Sequence, residues 1–264
     1  MRRYMMLIKA GRDYDVGQFP GEETPAASQY VDELVNAGAM VECARLRPSS
    51  QGKRVQFARG EFTVTDGPFT ETKELIAGFC LILAESLEAA VAWAKRMPFE
   101  VGEVEIRPLF ELADFPVDPA EQPDGWREKE EEMRAAPPPA RKPGTTRYLG
   151  MLKADRNTEA GVMPDEKALS AMGAFIEEGV KAGVILGGEG LQPSSQGARV
   201  RFSGKQRMVT DGPFAETKEL VAGYAMLQFA SPSEALEWTK RFVQVDAPGR
   251  LGEECECEIR PVVE

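Results

Sequence analysis

The second half of this chain repeats the first, and that repetition restricts the available folds more than any other feature. Leu46-Arg47-Pro48-Ser49-Ser50-Gln51-Gly52 returns as Leu191-Gln192-Pro193-Ser194-Ser195-Gln196-Gly197. Thr65-Asp66-Gly67-Pro68-Phe69 through Leu75 returns as Thr210-Asp211-Gly212-Pro213-Phe214 through Leu220, and both pairs share an offset of 145 residues. The closing Glu105-Ile106-Arg107-Pro108 recurs as Glu258-Ile259-Arg260-Pro261 after a loop lengthened by eight residues. A repeat of this length is one folding unit used twice. The expected division is a first module at 1–112, a linker rich in proline and charge at 113–146, and a second module at 147–264.

Each unit reads as strand, helix, three strands, helix, strand. The pattern predicts strands at 4–10 and 148–154, helices at 25–37 and 164–182, and short alternating strands at 40–47, 53–58 and 61–65. Further strands at 78–84 and 223–229 lead into helices at 87–97 and 232–243, the second opened by Ser231-Pro232-Ser233-Glu234, where Ser caps and Glu reaches back. Strands at 103–109 and 255–262 close the units. The linker is expected to be an extended spacer around Pro137-Pro138-Pro139, with a helical turn near 125–135.

This order predicts an α+β fold of two ferredoxin-like modules, each an antiparallel sheet with its helices on one face. On the last strand Val104 and Ile106 point to the helices, while Glu103, Glu105 and Arg107 point away; Cys257 and Ile259 oppose Glu256, Glu258 and Arg260 in the same manner. Phe79, Leu81 and Leu83, with Tyr224, Met226 and Gln228, form an open apolar face that water does not favour. The expected cover is the same face of the other module, giving an intramolecular pseudo-dimer, a face-to-face α+β barrel with a charged cleft between its sheets. Pairing with a second chain in a homodimer is the alternative.

Composition removes several classes of function. A formal charge of −11 repels phosphate backbones, and no basic stripe offsets it, so nucleic acid is excluded as a partner. No apolar run reaches the ~18 residues of a membrane helix, and Lys9 and Gly11 interrupt the first strand too early for a signal peptide; no membrane partner and a cytoplasmic location are expected. Cys43, Cys80, Cys255 and Cys257 match no paired zinc spacing and read as reduced thiols, so no metal and no cofactor are expected.

The candidate site residues are polar side chains near the cleft. Asp66 and Asp211 precede Gly-Pro, where a carboxylate either supports the turn or, if desolvated at the cleft mouth, serves as a general base. Glu71 with Lys73, and Glu216 with Lys218, form either solvated charge clusters or ligand contacts. Lys9 and Lys153 lie in apolar strands and need partners such as Glu105 and Glu258, or else bind an anion together with Arg107 and Arg260. Arg47 is Gln192 in the second copy, so an anion site there is not duplicated. The Pro-Ser-Ser-Gln-Gly loops read as turns, and Trp93 and Trp238 as core.

Asp66-Gly67-Pro68-Phe69 with the trailing Glu71, Lys73, Glu74 and Gly78-Phe79, found again from Asp211 to Tyr224, resembles the DGPF signature of YCII-related proteins. The resemblance covers both modules and implies the dimeric α+β barrel of ferredoxin-like units. It also implies a histidine–aspartate active pair, but this chain holds no histidine, so only Asp66 and Asp211 carry over and a histidine-dependent mechanism is excluded. Relatives of this kind are often encoded beside alternative sigma factors, which implies a regulatory setting. Three readings follow: a sensor binding a small anionic or aromatic metabolite between the sheets, a cofactor-free lyase or isomerase using Asp66 or Asp211 as base, and a protein-interaction module.

Overall fold

The computed structural model describes residues 1–10, 14, 24–69, 75–111, 114, 141–215 and 220–263. The helical turn expected at 125–135 and the extended 137–139 lie outside the described residues. The first copy runs β1 (Arg2–Lys9), α1 (Pro25–Asn36), β2 (Met40–Arg45), β3 (Lys53–Ala58), β4 (Glu61–Asp66), β5 (Ile76–Ala84), α2 (Leu87–Lys95) and β6 (Val101–Pro108). The second runs β7 (Thr146–Lys153), α3 (Arg156–Glu159), α4 (Glu166–Lys181), β8 (Ile185–Gly190), β9 (Ala198–Ser203), β10 (Gln206–Asp211), β11 (Val221–Phe229), α5 (Pro232–Asp246) and β12 (Cys255–Pro261).

The helices start where their capping chemistry sits. Thr24 accepts from the amide of Ala27 ahead of Pro25, Ser86 from Ala89, and Asp165 from Ala168. At α5, Ser231 accepts from the Glu234 amide while the Glu234 carboxylate reaches back to the amide of Ala230 at 2.9 Å, as the sequence predicts. The short α3, absent from the sequence reading, is held by a reciprocal pair of bonds between Asp155 and Thr158. No helix among the described residues is long and apolar enough to cross a membrane.

The strands form two six-stranded antiparallel sheets, ordered β10-β9-β6-β1-β5-β2 and β4-β3-β12-β7-β11-β8. Four adjacent strands of each, β6-β1-β5-β2 and β12-β7-β11-β8, come from one copy and are the ferredoxin-like arrangement. The remaining two are not from the same copy. The hairpin β3–β4 of the first copy pairs through β3 with β12, and β9–β10 of the second pairs through β9 with β6. Each copy therefore completes its sheet with a hairpin lent by the other, and its helix-side core contains the lent residues: Val200 and Phe202 join Met6, Ile8, Leu34 and Val104, while Val55 joins Val243 and Cys257.

The sheets meet face to face over an apolar layer that includes Met5, Leu7, Phe79, Leu81, Leu149, Met151 and Met226, with Tyr224 packed against it. That layer corrects one expectation: apolar side chains fill the centre between the sheets, and charged groups stand only at its ends. Leu83 is half-buried, and Gln228 accepts from the Lys142 amide and donates to the Gly183 carbonyl. A second correction concerns closure. The sheets touch through single bridges, Leu46 with Val262 and Leu109 with Leu191, and the edge strand β4 is exposed along its whole length, so no continuous ladder closes a barrel.

The cysteines divide. Cys255 and Cys257 are free and buried, but Cys43 and Cys80, read as thiols, are joined by a disulfide. Strand register places them directly opposite each other on β2 and β5 with Cα atoms 4.1 Å apart. A sequence separation of 37 residues carries no sign of that register.

Candidate functional site

The repeated motifs converge around two buried arginines at the ends of β6 and β12. Arg107 is fully buried; its Nε donates to the Gln192 carbonyl at 2.8 Å, its Nη1 to Glu105 at 3.1 Å and its Nη2 to Glu159 at 3.2 Å. Arg260 mirrors it: Nε donates to the Arg47 carbonyl at 3.0 Å, Nη1 to Glu258 at 3.1 Å and Nη2 to the Tyr14 hydroxyl at 2.5 Å. With Lys9 aligned to Lys153, Tyr14 corresponds to Thr158, the residue before Glu159, so the Nη2 partner is a phenol in one half and a carboxylate from the adjacent repeat position in the other. Each arginine binds a carbonyl of the other copy, which ties the halves together.

The two signature loops pack on these arginines. Ser49 Oγ accepts from the Phe69 amide at 3.1 Å and Ser194 Oγ from the Phe214 amide at 3.1 Å, so each Pro-Ser-Ser-Gln-Gly turn grips the Asp-Gly-Pro-Phe loop of its own copy. Glycine is required at the crossing: a Cβ on Gly67 or Gly212 lands 1.8 Å from the carbonyl oxygen of Ser49 or Ser194. A Cβ on Gly52 meets Arg260 Cδ at 2.4 Å, and one on Gly197 meets Arg107 Cδ at 2.7 Å. Much of what repeats is thus explained by packing.

Glu105 is the electrostatic centre of the first cluster. It is fully buried, with Arg199 Nη2 at 2.8 Å, Arg107 Nη1 at 3.1 Å and Lys9 Nζ at 3.5 Å. Burial by itself pushes its carboxyl up, but Lys9, Arg107 and Arg199 outweigh that and hold it below the ordinary carboxylate range. In the second cluster Glu258 accepts from Arg54 Nε at 2.9 Å as well as from Arg260. Both Arg54 and Arg199 lie on hairpins lent by the other copy, and each guanidinium stacks on a motif phenylalanine, Arg54 over Phe69 at 4.3 Å and Arg199 over Phe214 at 4.0 Å.

A hollow of about 270 Å³ opens beside the second cluster, lined by Arg54, Gln56, Thr63, Thr65, Pro68, Phe69 and Glu256. Six of these residues belong to the lent hairpin and its Asp-Gly-Pro-Phe loop, and Glu256 comes from β12 of the other copy. The hollow is mixed in character: an aromatic wall, two hydroxyls, an amide and one charge of each sign.

The sequence candidates are distributed unevenly around it. Lys9, Glu105 and Arg107 come together in the first cluster and Glu258 and Arg260 in the second, in both cases as buried groups bonded to one another, and the hollow lies beside the second cluster. Arg47 turns its side chain to solvent and contributes its carbonyl; Lys153 is half-buried on β7. Asp66 is 72% exposed and bonded to Lys53, its cross-strand neighbour, and Asp211 is exposed opposite Ala198. The desolvation that base chemistry needs is not supplied at either aspartate. Glu71, Lys73, Glu216 and Lys218 lie outside the described residues. Sequence reasoning passed over Arg54, Gln56, Thr63 and Thr65 as plain strand residues; the signal present was that two of them, Gln56 and Thr63, change in the second copy, to Arg201 and Met208.

The fold and the paired loops define a tandem α+β protein whose two ferredoxin-like halves exchange hairpins and share their signature motifs. The family model of the YCII-related domain matches this chain twice, over residues 3–113 and 146–261, and the chain belongs to that family. An uncharacterized protein of Rhizobium meliloti is 40% identical over 80 residues, which cover 29% of this chain and 64% of that protein.

Proposed function

We propose that this chain is a binding protein for a small polar metabolite, seated in the hollow between the lent hairpin β3–β4 and β12. The observation that carries the reading is the hollow itself, built from both copies, with the Arg54 guanidinium held by Glu258 and laid on Phe69. A concave surface with a few converging polar groups on rigid strands is the usual form of a small-molecule site. The reading as an aspartate-based lyase has no comparable support, since Asp66 and Asp211 are exposed. A sensing role is consistent with the regulatory setting that the family resemblance implies.

The test is a thermal-shift screen of a small-metabolite library on the intact chain, repeated on Thr65→Val and Phe69→Leu. A compound that raises the melting temperature of the wild type and less so of both variants supports the site. A library without any stabilising compound, or one whose hits ignore both substitutions, removes it.

A further inference from the structure

The two halves supply an internal comparison, because every residue lining the hollow has a counterpart at the equivalent position of the other half. Arg54, Thr65, Pro68 and Phe69 correspond to Arg199, Thr210, Pro213 and Phe214, and Glu256 corresponds to Glu103. Two positions differ. Gln56 stands where the other half has Arg201, and Thr63 where it has Met208. Register makes the first difference consequential: Gln56 is directly opposite Glu256 across β3 and β12, as Arg201 is opposite Glu103 across β9 and β6.

In the second-copy hairpin Arg201 uses that placement. Its Nη2 lies 3.1 Å and its Nε 3.3 Å from Glu103, and Arg199 approaches the same carboxylate at 3.6 Å. The Glu256 carboxylate has no hydrogen bond or ion pair among the described residues, and a neutral amide, Gln56, stands opposite it. We propose that the hollow is a site for a small organic cation, in which Glu256 receives a guanidinium or ammonium group at the place Arg201 fills in the other half. This rests on reading the hollow as a ligand site, and it puts a cation where the sequence led to an anionic or aromatic ligand.

The neighbouring positive charge of Arg54 does not oppose a cation. Its guanidinium is bonded to Glu258, which it shares with Arg260, and in the other half two cations, Arg199 and Arg201, already share the Glu103 carboxylate. Thr63 and Thr65 supply hydroxyl acceptors for the remaining N–H groups, and Phe69 supplies a ring face; a guanidinium is planar and accepts both kinds of neighbour. The inference also sets the stoichiometry at one cation per chain, because Arg201 occupies the second position from within.

The experiment titrates ethylguanidinium chloride into the intact chain and follows backbone amide resonances of the hollow, with sodium propionate as the anionic control. The expected result is a saturable, single-site shift at residues of β3, β4 and β12. Glu256→Gln and Gln56→Arg each weaken it by about tenfold or more, Glu61→Gln on the same hairpin leaves it unchanged, and Arg201→Gln adds a second site around Glu103. Gln56→Arg keeps the test sound if Glu256→Gln fails to fold, since the arrangement it creates already exists in the other half. Unchanged affinity in the variants, or no response to ethylguanidinium, overturns the inference. If propionate shifts the same resonances instead, the cation assignment falls and the hollow remains a ligand site; if neither probe nor any library compound reaches the hollow, both readings fall.

Discussion

A buried charge is tolerated only while its partners remain, and Glu105 has three cations within 3.5 Å. Glu105→Gln leaves Lys9, Arg107 and Arg199 without that carboxylate and is expected to cost about 3–5 kcal/mol in a urea titration. Its carboxyl is held below the ordinary range in the folded chain, so it contributes stability above the unfolded value of about 4.3, and that contribution is lost as pH falls through the lower folded value. Stability measured from pH 6 downward is expected to decline more steeply below about pH 4.3 in the wild type than in Glu105→Gln; parallel declines would refute the account. Gly212→Ala carries a different penalty. A Cβ 1.8 Å from the Ser194 carbonyl oxygen forces the loop and the turn apart, at an expected cost of about 1–3 kcal/mol read as a lowered denaturation midpoint. At this scale the sequence displayed the important residues but not their work. Glu105 and Arg107 are legible as a polar face and Lys9 as a partner of Glu105, whereas the lent Arg199 and the Gln192 carbonyl, which also satisfy them, are contributed by the other copy and are not.

The hairpins are the elements that decide the architecture. Each connects to β2 or β8 through a Pro-Ser-Ser-Gln-Gly turn, and alternation along β3 and β9 marks one face as apolar. That alternation is satisfied equally by either sheet, so it predicts a hairpin without saying which copy it completes. The corner contacts decide the matter: Arg47 donates its amide to Pro261 and Gln192 donates its amide to Pro108, each directing a hairpin into the other half. Phe202 is 2% exposed, packs edge-on to Phe99 at 5.5 Å, and lies in the helix-side core of the first copy although it belongs to the second. Phe202→Ala is expected to cost about 3–5 kcal/mol, and hydrogen exchange should show the loss of protection in β1 and β6 before it appears in β7. Protection lost first around β7 would mean that the hairpin serves its own copy.

Exchange of elements makes the molecule a single thermodynamic unit. Neither sheet can lose its outer hairpin without uncovering a core, and Met5, Leu7, Leu149 and Met151 bury the inner faces against each other. A calorimetric scan of the intact chain is expected to show one cooperative transition with calorimetric and van't Hoff enthalpies in agreement. Two resolved transitions would show that the halves unfold independently. The separated halves have the opposite expectation: each lacks the hairpin it needs, and mixing residues 1–112 with 141–264 should yield a one-to-one complex by sedimentation.

The duplication, the α+β order, the helix caps and the alternation of each strand follow from local chemistry, in which a residue's own neighbours along the chain settle its preference. What the chain order leaves undetermined is every choice between equivalent partners. Hairpin exchange, the pairing of Cys43 with Cys80, the apolar filling between the sheets and the contrast between Gln56 beside Glu256 and Arg201 beside Glu103 all depend on which surfaces meet. Two halves of one fold offer each element two nearly equal partners, and only the three-dimensional packing of side chains and buried charges separates them.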